Sequence, residues 1–333
     1  MTNAIVVHHR FNGTWPLAAE HMHELWRKQG PVAFVQMAPG DDRPAGQVLP
    51  DPAAVTRLVV LGGSITPECL KRMPALREVA CACQSLDGVA DMAKQAGMRV
   101  YTQPTEGFWG ESVSECGIAL TLCGLRRIPQ LHQAIQTNHA PWQYAPTPEH
   151  PRRGAQYGDD MRFTSGTVAR KRVRIVGAGN IASRYAQCMA LLGANVAVYD
   201  PFAHEPCIHL AGARKEWHLS RLVEDADIFA PMVPLTNSTK GMVTAEMIDK
   251  LPRGCLVVLV TRANICDMAA VRRRVLADEL ALAADVFDVE PLPLNDPLLG
   301  RHNVVHTPHI AGRTRHANER FAEKLAEQFL PVG

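Results

Sequence analysis

Gly177-Ala178-Gly179-Asn180-Ile181-Ala182 follows the β-branched run Val173 to Val176 without a break and opens a helical pattern that ends at Gly193. This is G-x-G-x-x-A at a strand-to-helix turn. The first glycine permits the turn, the second lets backbone approach a pyrophosphate, and the small third residue lets helix pack closely on strand. The free N–H groups of the following turn, those of Asn180 and Ile181 among them, would face the phosphates. About twenty residues further on, the run Asn195 to Tyr199 ends at Asp200, placed to accept hydrogen bonds from both ribose hydroxyls of NAD. A 2′-phosphate would be repelled there, and Pro201 follows rather than an arginine, so the pattern favours NAD over NADP. A plain turn residue before proline is the alternative for Asp200. Three later apolar runs also end on reactive side chains: Leu256 to Thr261 at Arg262, Leu280 to Ala284 at Asp285 with Glu290 close behind, and Asn303 to His306 at Pro308-His309. A guanidinium, an imidazole and two carboxylates suit anion binding and proton transfer. Singly, each has a bland alternative: a solvated charge, a loop acid, a structural histidine. Their convergence on one sheet edge beside a dinucleotide turn favours chemistry, because open parallel sheets bind ligands at the carboxyl ends of their strands.

These positions depend on a repeating scaffold. Short apolar runs at Ala4 to His8, Ala33 to Met37, Arg57 to Leu61, Glu78 to Cys83 and Met98 to Tyr101 alternate with helical stretches such as Leu17 to Lys28 and Ile65 to Met73. From Arg172 a second series runs through Val173 to Val176, Asn195 to Tyr199, Ile228 to Ala230, Leu256 to Thr261, Leu280 to Ala284 and Asn303 to His306. Alternation of this kind predicts α/β architecture with parallel, doubly wound sheets. A long helix is predicted over Glu111 to Arg127, then a proline-rich linker or arm over Gln130 to Gly166, and a terminal helix from His316 to Phe329 that packs back on the first domain.

The 333 residues fit two domains with a cleft between them. Apolar residues make up 47% and charged residues 20%, and no apolar run approaches the roughly 18 residues of a membrane span. The first ten residues do not read as a signal peptide, so a cytoplasmic location is expected. Thirty-five Lys and Arg against 33 Asp and Glu, without a basic tract, point away from nucleic acid. Of nine cysteines only Cys81 and Cys83 lie close together, with no second pair, so no metal site is expected.

The set V-R-I-V-G-A-G-N-I-A, A-D-I-F-A-P-M-V-P-L-T, R-G-C-L-V-V-L-V-T-R, A-D-V-F-D-V-E-P-L-P and V-V-H-T-P-H-I-A-G resembles the D-isomer-specific 2-hydroxyacid dehydrogenases, in family order from about Ile175 to Gly312. The resemblance implies NAD-dependent hydride transfer between a small 2-keto acid and its D-2-hydroxy acid, glyoxylate or hydroxypyruvate being favoured. By position, Arg262 would hold the substrate carboxylate and polarise its carbonyl, His309 would donate the proton, and Glu290 would orient and charge that histidine. Asp285 resembles the family aspartate beside the nicotinamide, and Val233, Pro234 and Thr239 its cofactor-contacting loop, with Thr261 just before the arginine also assigned to the cofactor. The implied fold is two Rossmann-like domains: a discontinuous substrate domain, 1–125 plus 307–333, and an NAD domain, 126–306, with a homodimerisation arm at 130–166. The chain departs from the family at Cys83-Gln84-Ser85, where a glycine-rich substrate loop is usual, leaving the Gln84 and Ser85 amides to bind the carboxylate. Ala263 and Met232 are further departures, and Phe108 with Trp109 would either wall the pocket or pack in the core. An NAD-sensing corepressor and a formate- or phosphite-oxidising enzyme are the rival readings; Glu290 argues against the formate type.

Overall fold

The computed structural model describes residues 2–82, 88–103, 108–142 and 158–330. They divide into two compact units, 1–109 with 313–333, and 110–312. The first unit carries a five-stranded parallel sheet: β1 (Thr2–Val7), β2 (Val32–Gln36), β3 (Val55–Leu61), β4 (Glu78–Ala82) and β5 (Arg99–Thr102), in the order β2-β1-β3-β4-β5. Successive side chains of a strand point to opposite faces. Ala4 and Val6 accordingly enter one core with Leu58, Val60 and Val79, whereas Ile5 and Val7 enter another with Val59 and Leu61. The second core is roofed by helices Ala18–Arg27 and Arg315–Ala326, which bring Met22, Trp26, Phe321 and Leu325. The terminal helix thus packs on the first sheet, as its apolar face requires.

One polar cluster interrupts this apolar sheet. Arg57 and Glu78 stand opposite each other on β3 and β4 and are both buried. The Arg57 Nε donates to Glu78 Oε2 at 2.8 Å, while Oε1 accepts from the Tyr101 hydroxyl at 2.7 Å and from the Leu330 amide at 3.1 Å. The guanidinium also donates to the Leu330 carbonyl. Burial alone would push the Glu78 carboxyl up, but these donors outweigh it and hold it below the usual range.

The second unit holds a seven-stranded parallel sheet of β6 (Arg172–Val176), β7 (Asn195–Tyr199), β8 (Arg214–Lys215), β9 (Ile228–Pro231), β10 (Leu256–Leu259), β11 (Ala281–Ala284) and β12 (Val304–His306), ordered β12-β11-β10-β9-β6-β7-β8. Strands β9, β10 and β11 are buried throughout, which is why they read as continuous apolar runs. The polar two-residue edge strand β8 has no such signal. Helix Gly110–Arg126 packs on β10, β11 and helix Asn180–Leu191, and Gly117 and Gly124 allow its close approach to Val260 and Leu256. The compact units therefore change at Gly110 and Arg313, where the sequence reading placed the crossings at 125 and 307. The segment expected to be an arm opens as a helix, Ile128–Ile135, set off from its predecessor by Arg127 in a left-handed conformation. Among the described residues no helix is long and apolar enough to cross a membrane.

Candidate functional site

The turn after β6 is built around Gly177, whose φ of 103° favours glycine; a Cβ there would lie 2.8 Å from Val233 Cγ1. Gly179 is exposed, and a Cβ on it would meet nothing within 4 Å. Open space therefore lies beside the backbone where helix Asn180–Leu191 begins. No side chain caps that helix. Its first amides have no partner among the described residues and could serve an anion, and Ala182, 1% exposed, seats the helix against the sheet. This cradle fits a dinucleotide's pyrophosphate.

Asp200, at the end of β7, already has three hydrogen-bond donors. Its Oδ2 accepts from the Ala178 amide of the glycine turn at 2.8 Å, and its Oδ1 accepts from the Phe202 and Ala203 amides at 2.8 and 3.0 Å. The carboxylate thus locks the glycine turn to the loop after β7. In the loop after β9, the Thr239 hydroxyl donates to the Pro234 carbonyl at 2.6 Å and accepts from the Thr236 amide at 2.8 Å, closing residues 234–239 on themselves. Buried Thr261 ties the end of β10 to β9 through the Pro231 carbonyl, 3.3 Å away.

The segments after three neighbouring strands, β10, β11 and β12, carry the expected side chains Arg262, Glu290 and His309. Arg262 extends from β10 with its backbone in an ordinary extended conformation; its Nη1 donates to the Thr261 carbonyl at 2.6 Å, and it is exposed. It forms no ion pair among the described residues. Glu290 and His309 meet directly: His309 Nδ1 donates to Glu290 Oε2 at 2.6 Å. The other carboxylate oxygen accepts from the Phe287 amide at 2.8 Å, so both oxygens are fixed. The two side chains are 37% and 34% exposed, and His309 Nε2 has no partner among the described residues. An imidazole held at one nitrogen by a carboxylate and open at the other is arranged for proton transfer.

Asp285, expected beside the nicotinamide, sits at the end of β11 with both oxygens engaged by its own chain. It is fully buried: Oδ1 accepts from the Thr307 hydroxyl at 2.6 Å and the Ile310 amide at 2.8 Å, and Oδ2 accepts from the Ala311 amide at 2.8 Å. These bonds span His309, whose φ is 53°. A left-handed conformation is unfavourable for a residue with a Cβ, and the Asp285 carboxylate supplies the bonds that hold it. Thr307 and the two amides were missed in the sequence. The register that pairs Ala284 with His306 sets the following residues, Asp285 and Thr307, side by side and was the available signal. Cys116, on helix Gly110–Arg126, also bonds Thr307, and burial pushes its thiol up to about 11, too high for a thiolate role near neutral pH.

Gln84 and Ser85, expected at the substrate, lie outside the described residues, as does Cys83. Phe108 is 2% exposed and packs within the first unit against Trp15 and Phe321, with centroids 5.4 and 5.2 Å away, while Trp109 stacks on Trp15. Both belong to the aromatic packing of that unit.

The model of the D-isomer specific 2-hydroxyacid dehydrogenase NAD binding domain matches residues 118–311, more than half of the chain. A glyoxylate reductase of Korarchaeum cryptofilum is 27% identical over 81% of this chain and 77% of its own. A D-3-phosphoglycerate dehydrogenase of Haemophilus influenzae is 28% identical over 80% of this chain, which spans 61% of that longer protein. The fold matches a phosphoglycerate oxidoreductase from Rhizobium etli with a TM-score of 0.73 and 21% identity, over 97% of this chain and 92% of the other. Gly177, Gly179 and the uncapped helix behind them lie inside the matched domain, and the protein belongs to the D-isomer specific 2-hydroxyacid dehydrogenases, with NAD as its cofactor.

Proposed function

We propose that this protein reduces a small 2-keto acid of the glyoxylate or hydroxypyruvate kind to its D-2-hydroxy acid, and that Arg262, Glu290 and His309 carry the reaction. The observation that carries this reading is the Glu290–His309 pair, 2.6 Å apart, with the second imidazole nitrogen unpartnered among the described residues. NADH held at the Gly177–Gly179 turn would supply hydride for the carbonyl carbon. Arg262, exposed and without a carboxylate partner among the described residues, holds the substrate carboxylate and draws charge from the carbonyl oxygen. His309 gives its Nε2 proton to that oxygen as charge develops, and Glu290 stabilises the imidazolium and sets the ring's orientation. Asp200 excludes a 2′-phosphate. The first unit serves as the substrate domain and the second as the NAD domain. The half-exposed apolar row Ile128, Leu131 and Ile135 supports a homodimer through the helix that opens the 130–166 region. The absence of a membrane-crossing helix among the described residues is compatible with a cytoplasmic enzyme.

The test is NADH oxidation over a panel of 2-keto acids, with His309→Ala as control. Turnover of at least one small 2-keto acid, lost in the variant, is expected. Failure across the panel with intact NADH binding overturns the reading.

A further inference from the structure

The opening of helix Asn180–Leu191 carries a cation where the helix itself disfavours one. Helical side chains lean back toward the N-terminus of their helix. Arg184, one turn in from Asn180, does so: its Nε donates to Asn180 Oδ1 at 3.2 Å, and its Nη2 donates to Glu111 Oε1 at 2.9 Å. The positive end of a helix dipole favours anions and opposes a guanidinium beside it. No acidic residue stands in the first turn of this helix. Glu111 comes instead from the first turn of helix Gly110–Arg126, which packs against it. Gly110 makes that approach possible, because a Cβ there would lie 2.7 Å from Asn180 Cγ. Asn180, Arg184 and Glu111 all belong to the second unit.

Neither charge is needed to hold the fold. The Arg184 and Glu111 side chains are 45% and 37% exposed, and an ion pair so open to water contributes little to stability. Arg184 Nη1 has no partner among the described residues. The guanidinium is thus fixed at two nitrogens beside the first turn, with a donor left for an oxygen. That turn also holds the uncapped amides behind Gly177 and Gly179, with open space beside Gly179. An anion at those amides would draw on both the dipole and the guanidinium, whereas Glu111 partly neutralises the guanidinium and repels a second anion.

We propose that Arg184 is a counter-ion of the cofactor's pyrophosphate and that Glu111 weakens this attraction, so that the pair sets how tightly NAD and NADH are held. This goes beyond keto-acid reduction and does not depend on which acid is reduced. Release of a bound product limits turnover in many enzymes, and an acid beside the cation keeps the used cofactor from being held too tightly.

The test measures dissociation constants of NADH by fluorescence, and of ADP and adenosine by displacement of NADH, at low ionic strength, where exposed charges are screened least. ADP carries the paired phosphates and adenosine carries none. Arg184→Gln is expected to weaken NADH and ADP about tenfold and to leave adenosine within about twofold. Glu111→Gln is expected to do the opposite, tightening NADH and ADP about threefold or more. An ion pair with only a structural role loses the same contact in either variant and shifts binding in one direction. Shifts of the same sign, or NADH and ADP affinities unchanged in either variant, overturn the proposal. Should Arg184→Gln lose adenosine as well, Glu111→Gln decides alone: tighter ADP supports the charge pair, and equal or weaker ADP overturns it.

Discussion

Asp285→Asn separates a residue that braces the His309 turn from one that touches the cofactor. The carboxylate accepts three hydrogen bonds in a site closed to water, two of them from backbone amides on either oxygen. Asparagine keeps one acceptor oxygen. If its amide nitrogen replaces Oδ2, it points hydrogens at the Ala311 N–H; if it replaces Oδ1, the Thr307 hydroxyl can turn but the Ile310 N–H cannot. Either way one buried amide loses its acceptor, at about 1–3 kcal/mol, in the turn that holds His309 left-handed. If that energy falls on the population of correctly set turns, kcat declines roughly 10- to 100-fold, at about 1.4 kcal/mol per tenfold. The assay is steady-state reduction of the best keto acid beside NADH binding by fluorescence. The expected outcome is a fall in kcat with NADH affinity changed by less than about threefold. An unchanged kcat refutes the bracing role, and a loss confined to NADH affinity assigns Asp285 to the nicotinamide instead.

Glu290→Gln keeps the Phe287 amide bond but removes the charge beside His309, and kcat/KM for keto-acid reduction should fall at least about tenfold; wild-type kinetics beside an inactive His309→Ala would discard the pairing. Arg262→Lys keeps a cation and loses the planar fork, with an expected loss in kcat/KM of about a hundredfold, roughly 2.7 kcal/mol; near-normal rates would return Arg262 to a surface role. Asp200→Ala should narrow the preference for NADH over NADPH by about tenfold, read as a ratio of kcat/KM values, and an unaltered ratio would place the discrimination elsewhere. For Glu78, whose folded pKa is depressed, the stabilisation is complete above its unfolded value of about 4.3 and disappears as pH falls through the lower folded one. The stability gap between wild type and Glu78→Gln in urea titrations should therefore shrink between about pH 6 and pH 3, and a constant gap would contradict it.

Much of this arrangement was legible because parallel strands are buried on both faces, so β9, β10 and β11 announce themselves as unbroken apolar runs and place Arg262 and Asp285 just beyond the ends of β10 and β11, while His309 follows the short strand β12. Gly177 was legible because only glycine fits its conformation beside Val233. Other features follow from pairings between distant segments. Asp285 reads as a strand-end acid until register sets it beside Thr307. Arg57 and Glu78 look like solvated strand ends, and their burial depends on Tyr101 and Leu330 converging from elsewhere. The helix Ile128–Ile135 was hidden by Pro129, which a first helical turn accommodates because its amide has no partner there. Gln84 and Ser85 fall among the residues the structure does not describe.

The division of the first unit into two stretches bears on how the chain is made. Its second stretch follows the whole of the second unit, so ribosomal synthesis at about 5–20 residues per second delivers the two parts roughly 10–40 s apart. The second unit is continuous and has its full set of strands and helices before Arg315 emerges. During that interval the sheet face beneath Trp26 lacks Phe321, Ala322, Leu325 and Phe329, all under 8% exposed in the finished fold. Five strands with one apolar face uncovered are an aggregation-prone species, and the emergence of residues 315–329 is the event that closes it.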